Sequence, residues 1–513
     1  MTEFIKLQTP EKTIQIGFTD QKVSGRAGLL TFAGFLHWHR FGALLALVLP
    51  HRRTSKKAIP VADLALGFLA GILAGAQKLA HLAHLRNDVM LPALLAIQRI
   101  GSQSTFTRFF QGFTSAGKNL ATFGPLWRWC LERLPSRPGG YSLDLDSTRL
   151  LHEDGHQEGV ATGYTRLGTK PCLHPLVAVL EEVKLVVGFW LRPGNASCAN
   201  NVVAFTLELL ARLPKWIAIG LVRADSGFCL PEWLNLLEAR RLSYIVVARL
   251  LKPVQRLLKK DLIWQASSVP GTEVAEVWHQ EANWPKPRRL ILLRHRVAEK
   301  RAARQRTGGK LLIDCPGYLY QALVTNLSQS VSPVEVWRRY NGRAGCEEVI
   351  KQLDADFALP KLCLKRFWST EAALSLAIVS YNLTQLFQRH LGWLDRVTAA
   401  TLRFRLFTTG GIISETGGMT TIRLAVRDPQ ERAWWRRGLP PRKWTGGAQG
   451  FVEFSVVQEG GFGSRDPGIL GVAGSRANCA GAGGCRRFRG SRRGRCGPGP
   501  GRRRAARGAG PRP

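Results

Sequence analysis

This sequence predicts a mixed α/β protein, with helices in its first quarter, strands and helices behind a linker, and a basic tail. Three observations predict it. The apolar patterning switches from helical to strand-like across Pro135-Ser-Arg-Pro-Gly-Gly140, a turn-forming stretch. Acidic residues close short apolar strands at Tyr141-Ser-Leu-Asp-Leu-Asp-Ser-Thr148 and at Val222-Arg-Ala-Asp-Ser-Gly-Phe228. From Gly438 onward the chain is rich in Gly, Arg and Pro, with 20 glycines in its last 76 residues and no apolar period.

Charge narrows the partners. The chain of 513 residues carries a formal net charge of +37 and is 45% hydrophobic, enough for a substantial core. The segment 438–513 holds 15 Lys/Arg and 3 Asp/Glu, so the rest still carries +25. So basic a body favours a polyanion. A membrane is disfavoured, because no uninterrupted run of about 18 apolar residues occurs. Leu64–Ala76 is too short, and Phe41–Pro50 follows His37-Trp-His-Arg40. Met1–Lys12 carries acids and no long apolar stretch, which predicts no signal peptide and a cytoplasmic protein with reduced thiols. The ten cysteines form no Cys-x-x-Cys, so zinc ribbons and redox motifs lack support.

The elements follow in order. Residues 1–137 read as a mostly helical domain with apolar stretches around 27–50 and 61–96. Within it, Ser102–Gln111 reads as a capped amphipathic helix with Phe106, Phe109 and Phe110 inward. Its Gln103, Thr107 and Arg108 suit DNA contact, although a plain core-packing helix accounts for them equally well. Behind the linker, residues 138–400 read as one catalytic domain. Strands are expected at Leu143–Asp146, Ala161–Tyr164, Leu185–Leu191, Ile217–Arg223 and Tyr244–Ala248, with helices at Asn201–Arg212 and Pro231–Arg240. A β-rich insertion at about 250–330 contains strand-like Glu273–Trp278, Leu290–Arg296 and Tyr318–Thr325. Its segment Lys286–Lys310 has ten Lys/Arg and one acid, Glu299, which predicts a phosphate-tracking surface including Arg288 and Arg289. Ser332–Phe357 reads as one helix, and Glu371–Leu391 as another. Residues 401–437 form a C-terminal segment. The tail 438–513 is either a disordered nucleic-acid-binding extension or out-of-frame translation, and the abrupt change after Trp434-Trp-Arg-Arg437 favours the second.

Three acidic positions stand out chemically: Asp144 or Asp146 on the first strand, Asp225 at the end of a later one, and Glu347 within Tyr340-Asn-Gly-Arg-Ala-Gly-Cys-Glu347. Carboxylates from separate elements suit a two-metal phosphoryl-transfer site, because Mg²⁺ takes hard oxygen ligands. The order β-β-β-α-β-α-β, with acids on the first and fourth strands, is that of the ribonuclease-H-like fold, an argument by analogy. Strand alternation puts Asp144 and Asp146 on one face and leaves the choice between them open. Helical spacing puts Tyr340, Arg343, Glu347, Lys351 and Asp354 on one stripe.

With these residues in hand, the sequence resembles the DDE transposases of bacterial insertion sequences, in the subgroup with a Tyr-x2-Arg-x3-Glu-x6-Lys signature. The resemblance spans roughly residues 25–437. It rests on Asp144-Leu-Asp-Ser-Thr148, Gly155-His-Gln-Glu-Gly159, Gly163-Tyr164, His174-Pro-Leu176, Leu191-Arg-Pro-Gly-Asn195, Arg223-Ala-Asp-Ser-Gly-Phe228 and Tyr340 through Glu347. It implies a ribonuclease-H-like core with a β insertion behind a helical DNA-binding region. It also implies cut-and-paste DNA movement dependent on Mg²⁺, with Mn²⁺ as substitute. The partners implied are terminal inverted repeats and target DNA, bound by a homodimer on the nucleoid. Carried over residue by residue, Asp146, Asp225 and Glu347 match the metal-binding triad, Asp146 because the family's first aspartate precedes a small hydroxyl residue. Tyr340 and Arg343 match residues that hold DNA phosphates. Relatives flip a base onto a tryptophan, for which Trp278 and Trp284 are candidates.

One position departs from the signature: its lysine falls on Asp354, and Lys351 one turn earlier is the substitute cation. That departure raises an alternative, a catalytically inactive relative that only binds DNA. His152-Glu-Asp-Gly-His156 matches the zincin pattern, but Asp154-Gly155 is a turn dipeptide, and that motif needs a helix to bring both histidines to one face.

Overall fold

The computed structural model describes residues 5–438 apart from 51–54, 56, 153–154, 166–167, 297–309, 313–314, 394–395 and 417–418. The tail from Leu439 and most of the basic run Lys286–Lys310 beyond Arg296 lie outside the described residues.

The N-terminal portion opens with a hairpin, Ile5–Gln8 against Thr13–Ile16, which the patterning had not indicated. Helices follow at Leu29–Trp38, Phe41–Val48, Val61–Leu73, Leu79–His84, Leu91–Leu95, Gln103–Gln111 and Ala116–Leu131. The Gln103–Gln111 helix begins where Ser102 accepts the amide of Thr105 at 3.2 Å, and Phe106, Phe109 and Phe110 are buried, as the spacing predicts.

Ten strands form one sheet. From one edge the order runs Gln265–Ala266, Thr272–His279, Arg288–Arg296, Cys315–Thr325, Tyr244–Ala248, Ile219–Ala224, Tyr141–Ser147, Leu176–Leu180 and Leu185–Trp190, with Lys310–Leu312 alongside Cys315–Thr325. Tyr141–Ser147 and Ile219–Ala224 are parallel neighbours, with Asp144 opposite Arg223 and Leu145 opposite Ala224. Both are largely apolar and buried, as strands covered on two faces must be.

Two expectations are corrected, the place of Ala161–Thr165 and the single helix Ser332–Phe357. The second strand of the core is Leu176–Leu180, whereas Ala161–Thr165 joins a separate three-stranded sheet with Gly168–Leu173 and Leu150–Leu151. The strands expected within about 250–330 pair into the main sheet, through Tyr244–Ala248 antiparallel to Cys315–Thr325. Ser332–Phe357 is two helices, Pro333–Asn341 and Ala344–Asp356, interrupted at Gly342–Arg343.

The helix Phe367–His390 closes the core. Every residue from Ser369 to Gln388 is buried, and it packs on Ala116–Leu131, Val61–Leu73 and the edge strand Leu185–Trp190. Asn382 accepts the Val186 amide at 2.9 Å and donates to the Val186 carbonyl at 2.6 Å. It thereby supplies both partners that an edge strand lacks. Among the described residues no helix is long and apolar enough to cross a membrane.

Candidate active site

The parallel pair of strands sets the site. Asp144 and Asp146 point to the same face, one pleat apart. Asp144 is fully buried and held in a fork: Arg223 Nε donates to Oδ1 at 2.7 Å and Nη2 to Oδ2 at 2.8 Å. Burial pushes the Asp144 carboxyl up to about 6, although the Arg223 fork pulls it down. Asp146 lies nearer the strand end and keeps 14% side-chain exposure, which separates the two aspartates.

Asp225 directly follows Ala224, so the sheet register sets it beside Asp146. Its Oδ1 accepts the Gly227 amide at 2.9 Å and caps a short turn of helix. Arg343, at the start of the helix Ala344–Asp356, reaches back to the strand. Its Nη2 lies 2.8 Å from Asp146 Oδ2 and 3.3 Å from the Leu145 carbonyl. Glu347 is exposed in the first turn of that helix.

Electrostatics tie these groups together. Burial raises the Asp146 carboxyl above the ordinary carboxylate range. Arg343 opposes that rise, while Asp225 and Glu347 add to it. Tyr340 is pushed up to about 12 by burial and by the surrounding aspartates, so its hydroxyl keeps its proton at neutral pH. Arg343 is buried, yet the carboxylates of Asp146 and Asp225 hold it charged.

Behind Asp146 lies a network to which the residue patterns had given no role. His174 Nδ1 lies 2.6 Å from the Ala196 carbonyl, and its Nε2 lies 2.9 Å from Ser147 Oγ. A carbonyl can only accept, so Nδ1 carries the proton and Nε2 accepts from the serine. Burial lowers this histidine to about 4, which keeps it neutral. His174-Pro-Leu176 was the available signal, a polar residue leading directly into an apolar strand.

The DNA-contact candidates divide. Arg108 is exposed on the Gln103–Gln111 helix, and Lys351 is exposed on the helix carrying Glu347. Arg288 and Arg289 are corrections, because both are buried. Arg288 donates to Glu238 at 2.8 Å and Asn235 at 2.6 Å. Arg289 donates to Glu276 at 2.7 Å and to the carbonyls of Ser328 and Val331 at 2.8 Å. Guanidiniums engaged inside the protein are not offered to a phosphate. Trp278 is 56% exposed, whereas Trp284 is buried beneath Arg288. Asp354 is partly buried, its Oδ1 lacks a partner among the described residues, and burial raises its carboxyl to about 6.

The donor chemistry fits a hard divalent cation. Asp146, Asp225 and Glu347 present oxygen ligands whose mutual repulsion such an ion relieves. Among the described residues, no three His, Cys, Asp or Glu side chains are gathered as a ready metal cage. Arg343 supplies the positive charge on Asp146 instead.

These features can be set against known proteins. No curated protein matches the chain. Among solved structures, a piggyBac transposase in a synaptic complex with hairpin DNA aligns with 13% identity and a TM-score of 0.38, over 74% of this chain and 78% of that one. The family model for the transposase DDE domain, group 1, matches residues 7–437. The chain belongs to the DDE transposase family, domain group 1.

Proposed function

We propose that this protein is a cut-and-paste transposase of a bacterial insertion sequence, in the Tyr-Arg-Glu-Lys subgroup. It cleaves DNA at the element's terminal inverted repeats and joins the freed ends to target DNA. Family membership carries the transposase assignment. The observation that best supports the finer reading is the coupling of Asp146, Asp225 and Glu347 beside Tyr340 and Arg343. In this reading residues 138–400 are a ribonuclease-H-like catalytic domain with its insertion at about 250–330. Residues 1–137 recognise DNA, and the active form is a homodimer on two ends, associated with the nucleoid.

Asp146, Asp225 and Glu347 are the residues that would hold Mg²⁺, or Mn²⁺ in its place. Bound there, the ion supplies Lewis-acid activation of the attacking hydroxyl and stabilises charge on the phosphate. The remaining work falls to the chain itself. Arg343 holds Asp146 and the Leu145 carbonyl in the free chain, and its planar fork would reach a phosphate only where a cation takes over its place on Asp146. Tyr340 remains protonated and donates a hydrogen bond to a phosphate oxygen. Ser147 and His174 brace the strand end that presents Asp146. Exposed Trp278 has a free face on which an extruded base can stack, and Lys351 is the exposed cation on the catalytic helix.

The second reading, a relative that binds DNA without cutting it, comes from Asp354 in the place of the signature lysine. Against it, Asp354 is partly buried, and its Oδ1 is sealed from solvent without a partner among the described residues, so that oxygen is not displayed to a phosphate. The test is cleavage of a labelled duplex carrying the element's own end, in Mg²⁺ and in Ca²⁺, with Glu347→Gln as control. Nicking at the end that requires both Mg²⁺ and Glu347 is the expected result. Specific binding without nicking establishes the second reading, and absence of specific binding overturns both.

A further inference from the structure

Arg223 makes more contacts than an ion pair with Asp144 requires. It is 4% exposed and Asp144 is 0% exposed, and they sit directly opposite on adjacent parallel strands. Two of its nitrogens hold both oxygens of Asp144. The third, Nη1, donates to the main-chain carbonyl of Arg339 at 2.6 Å. That carbonyl lies in the last turn of the helix Pro333–Asn341, where helical carbonyls lack intrahelical donors and favour a cation.

The interruption follows three residues later. A Cβ on Gly342 would stand 2.4 Å from Arg223 Nη1, so the chain passes the guanidinium at a distance that admits no side chain. The helix resumes at Ala344, with Tyr340 before the break and Arg343 and Glu347 after it. A buried ion pair alone is weak evidence for stability, since an apolar pair often serves as well. What the fork adds is direction. Its two bonds to Asp144 fix the guanidinium plane, and that plane aims Nη1 at a single carbonyl.

We propose that Arg223 and Asp144 form a positioning clamp that fixes the Gly342 break and so sets Tyr340, Arg343 and Glu347 against Asp146 and Asp225. Neither clamp residue touches the reacting atoms. The inference rests on the reading of Asp146, Asp225 and Glu347 as the reacting centre. It assigns Asp144 a role distinct from that of Asp146 and explains why two aspartates share this strand face.

Two variants in the full chain test the clamp without leaving a lone buried charge. Gly342→Ala keeps both charges and pushes a methyl into the guanidinium. Asp144→Asn with Arg223→Gln removes both charges together. Thermal unfolding and affinity for the element's end are measured beside single-turnover cleavage, and hydrogen exchange is followed in peptides covering residues 338–346.

In both variants the clamp predicts exchange about tenfold faster in that segment and little changed elsewhere. Cleavage falls by about 100-fold, as for a misplacement near 1 Å, while end affinity and melting temperature stay close to the parent's. Unchanged exchange in residues 338–346 overturns the clamp. So does faster exchange with full cleavage, or a parallel fall in melting temperature, affinity and cleavage, which marks a merely structural pair. If the parent chain itself does not cleave, the assigned reaction fails. The exchange result then decides the clamp alone: faster exchange in 338–346 supports it, and unchanged exchange overturns it.

Discussion

Replacing Asp354 with Asn is expected to stabilise the protein, and to do so in proportion to pH. The carboxyl is held at about 6 by burial, against 3.8 when free, and its Oδ1 has no partner among the described residues. Folding therefore disfavours the ionised form. The penalty is absent well below pH 3.8, where both states are protonated, and it grows as pH rises through the interval up to about 6. Above that it is full, on the order of 3 kcal/mol by linkage, and roughly half of it remains at pH 5. Asp354→Asn removes the ionisation while keeping the shape. Urea unfolding of both chains at pH 5 and pH 8 should show the variant's midpoint advantage about twice as large at pH 8. An advantage independent of pH, or none at pH 8, refutes burial as the cause. Asp354→Lys, which restores the signature, puts an ammonium into the same desolvated position. It should unfold at lower urea than Asp354→Asn and leave cleavage no faster than the parent's. A gain in cleavage with Lys would show that this position does face DNA.

Four further outcomes are expected. Arg289→Ala should destabilise the fold by about 3–5 kcal/mol, because Glu276 loses its buried partner, with no change in the salt dependence of DNA binding in filter-binding titrations. Lys351→Ala should do the reverse, leaving stability intact and reducing the log–log salt slope by about one. Trp284→Ala should cost about 3–5 kcal/mol in urea unfolding, whereas Trp278→Ala should leave unfolding unchanged and slow processing of the cleaved end. Glu371 is buried, and burial raises its carboxyl to about 7 from 4.5 despite bonds from Asn119 and the Leu191 amide. Stability should therefore decline between pH 5 and 8 by on the order of 3 kcal/mol, and Glu371→Gln should flatten that part of the profile.

What was legible in the sequence and what was not divides along a physical line. Strands ending in Asp146 and Asp225 were readable because an apolar run followed by a carboxylate and a turn residue is a local pattern, and their adjacency follows from a parallel register. The Phe106, Phe109 and Phe110 face was readable for the same reason, since helical period is written within nine residues. Arg288 and Arg289 were misassigned because a count of basic residues registers charge and not its partner. Glu238 and Glu276 neutralise them from other elements, and tertiary pairing of that kind leaves no local trace. Ala161–Thr165 went to the wrong sheet because alternation identifies a strand but not its neighbour.

Asp144 and Asp146 show the same limit within one strand. Alternation makes them equivalent, and the distinction arrives from Arg223, 79 residues from Asp144, through a fork that holds one aspartate and leaves the other beside Arg343. Gly342 is the intermediate case. A glycine inside a helical pattern was a visible signal of a break or a close approach. What approaches it could be known only once the sheet had brought the guanidinium there. Local chemistry thus announces which carboxylates could react, while the contacts that orient them are fixed by pairings distant in sequence. Substitutions at those distant partners, rather than at the carboxylates themselves, are where an intact triad and an inactive enzyme can coexist.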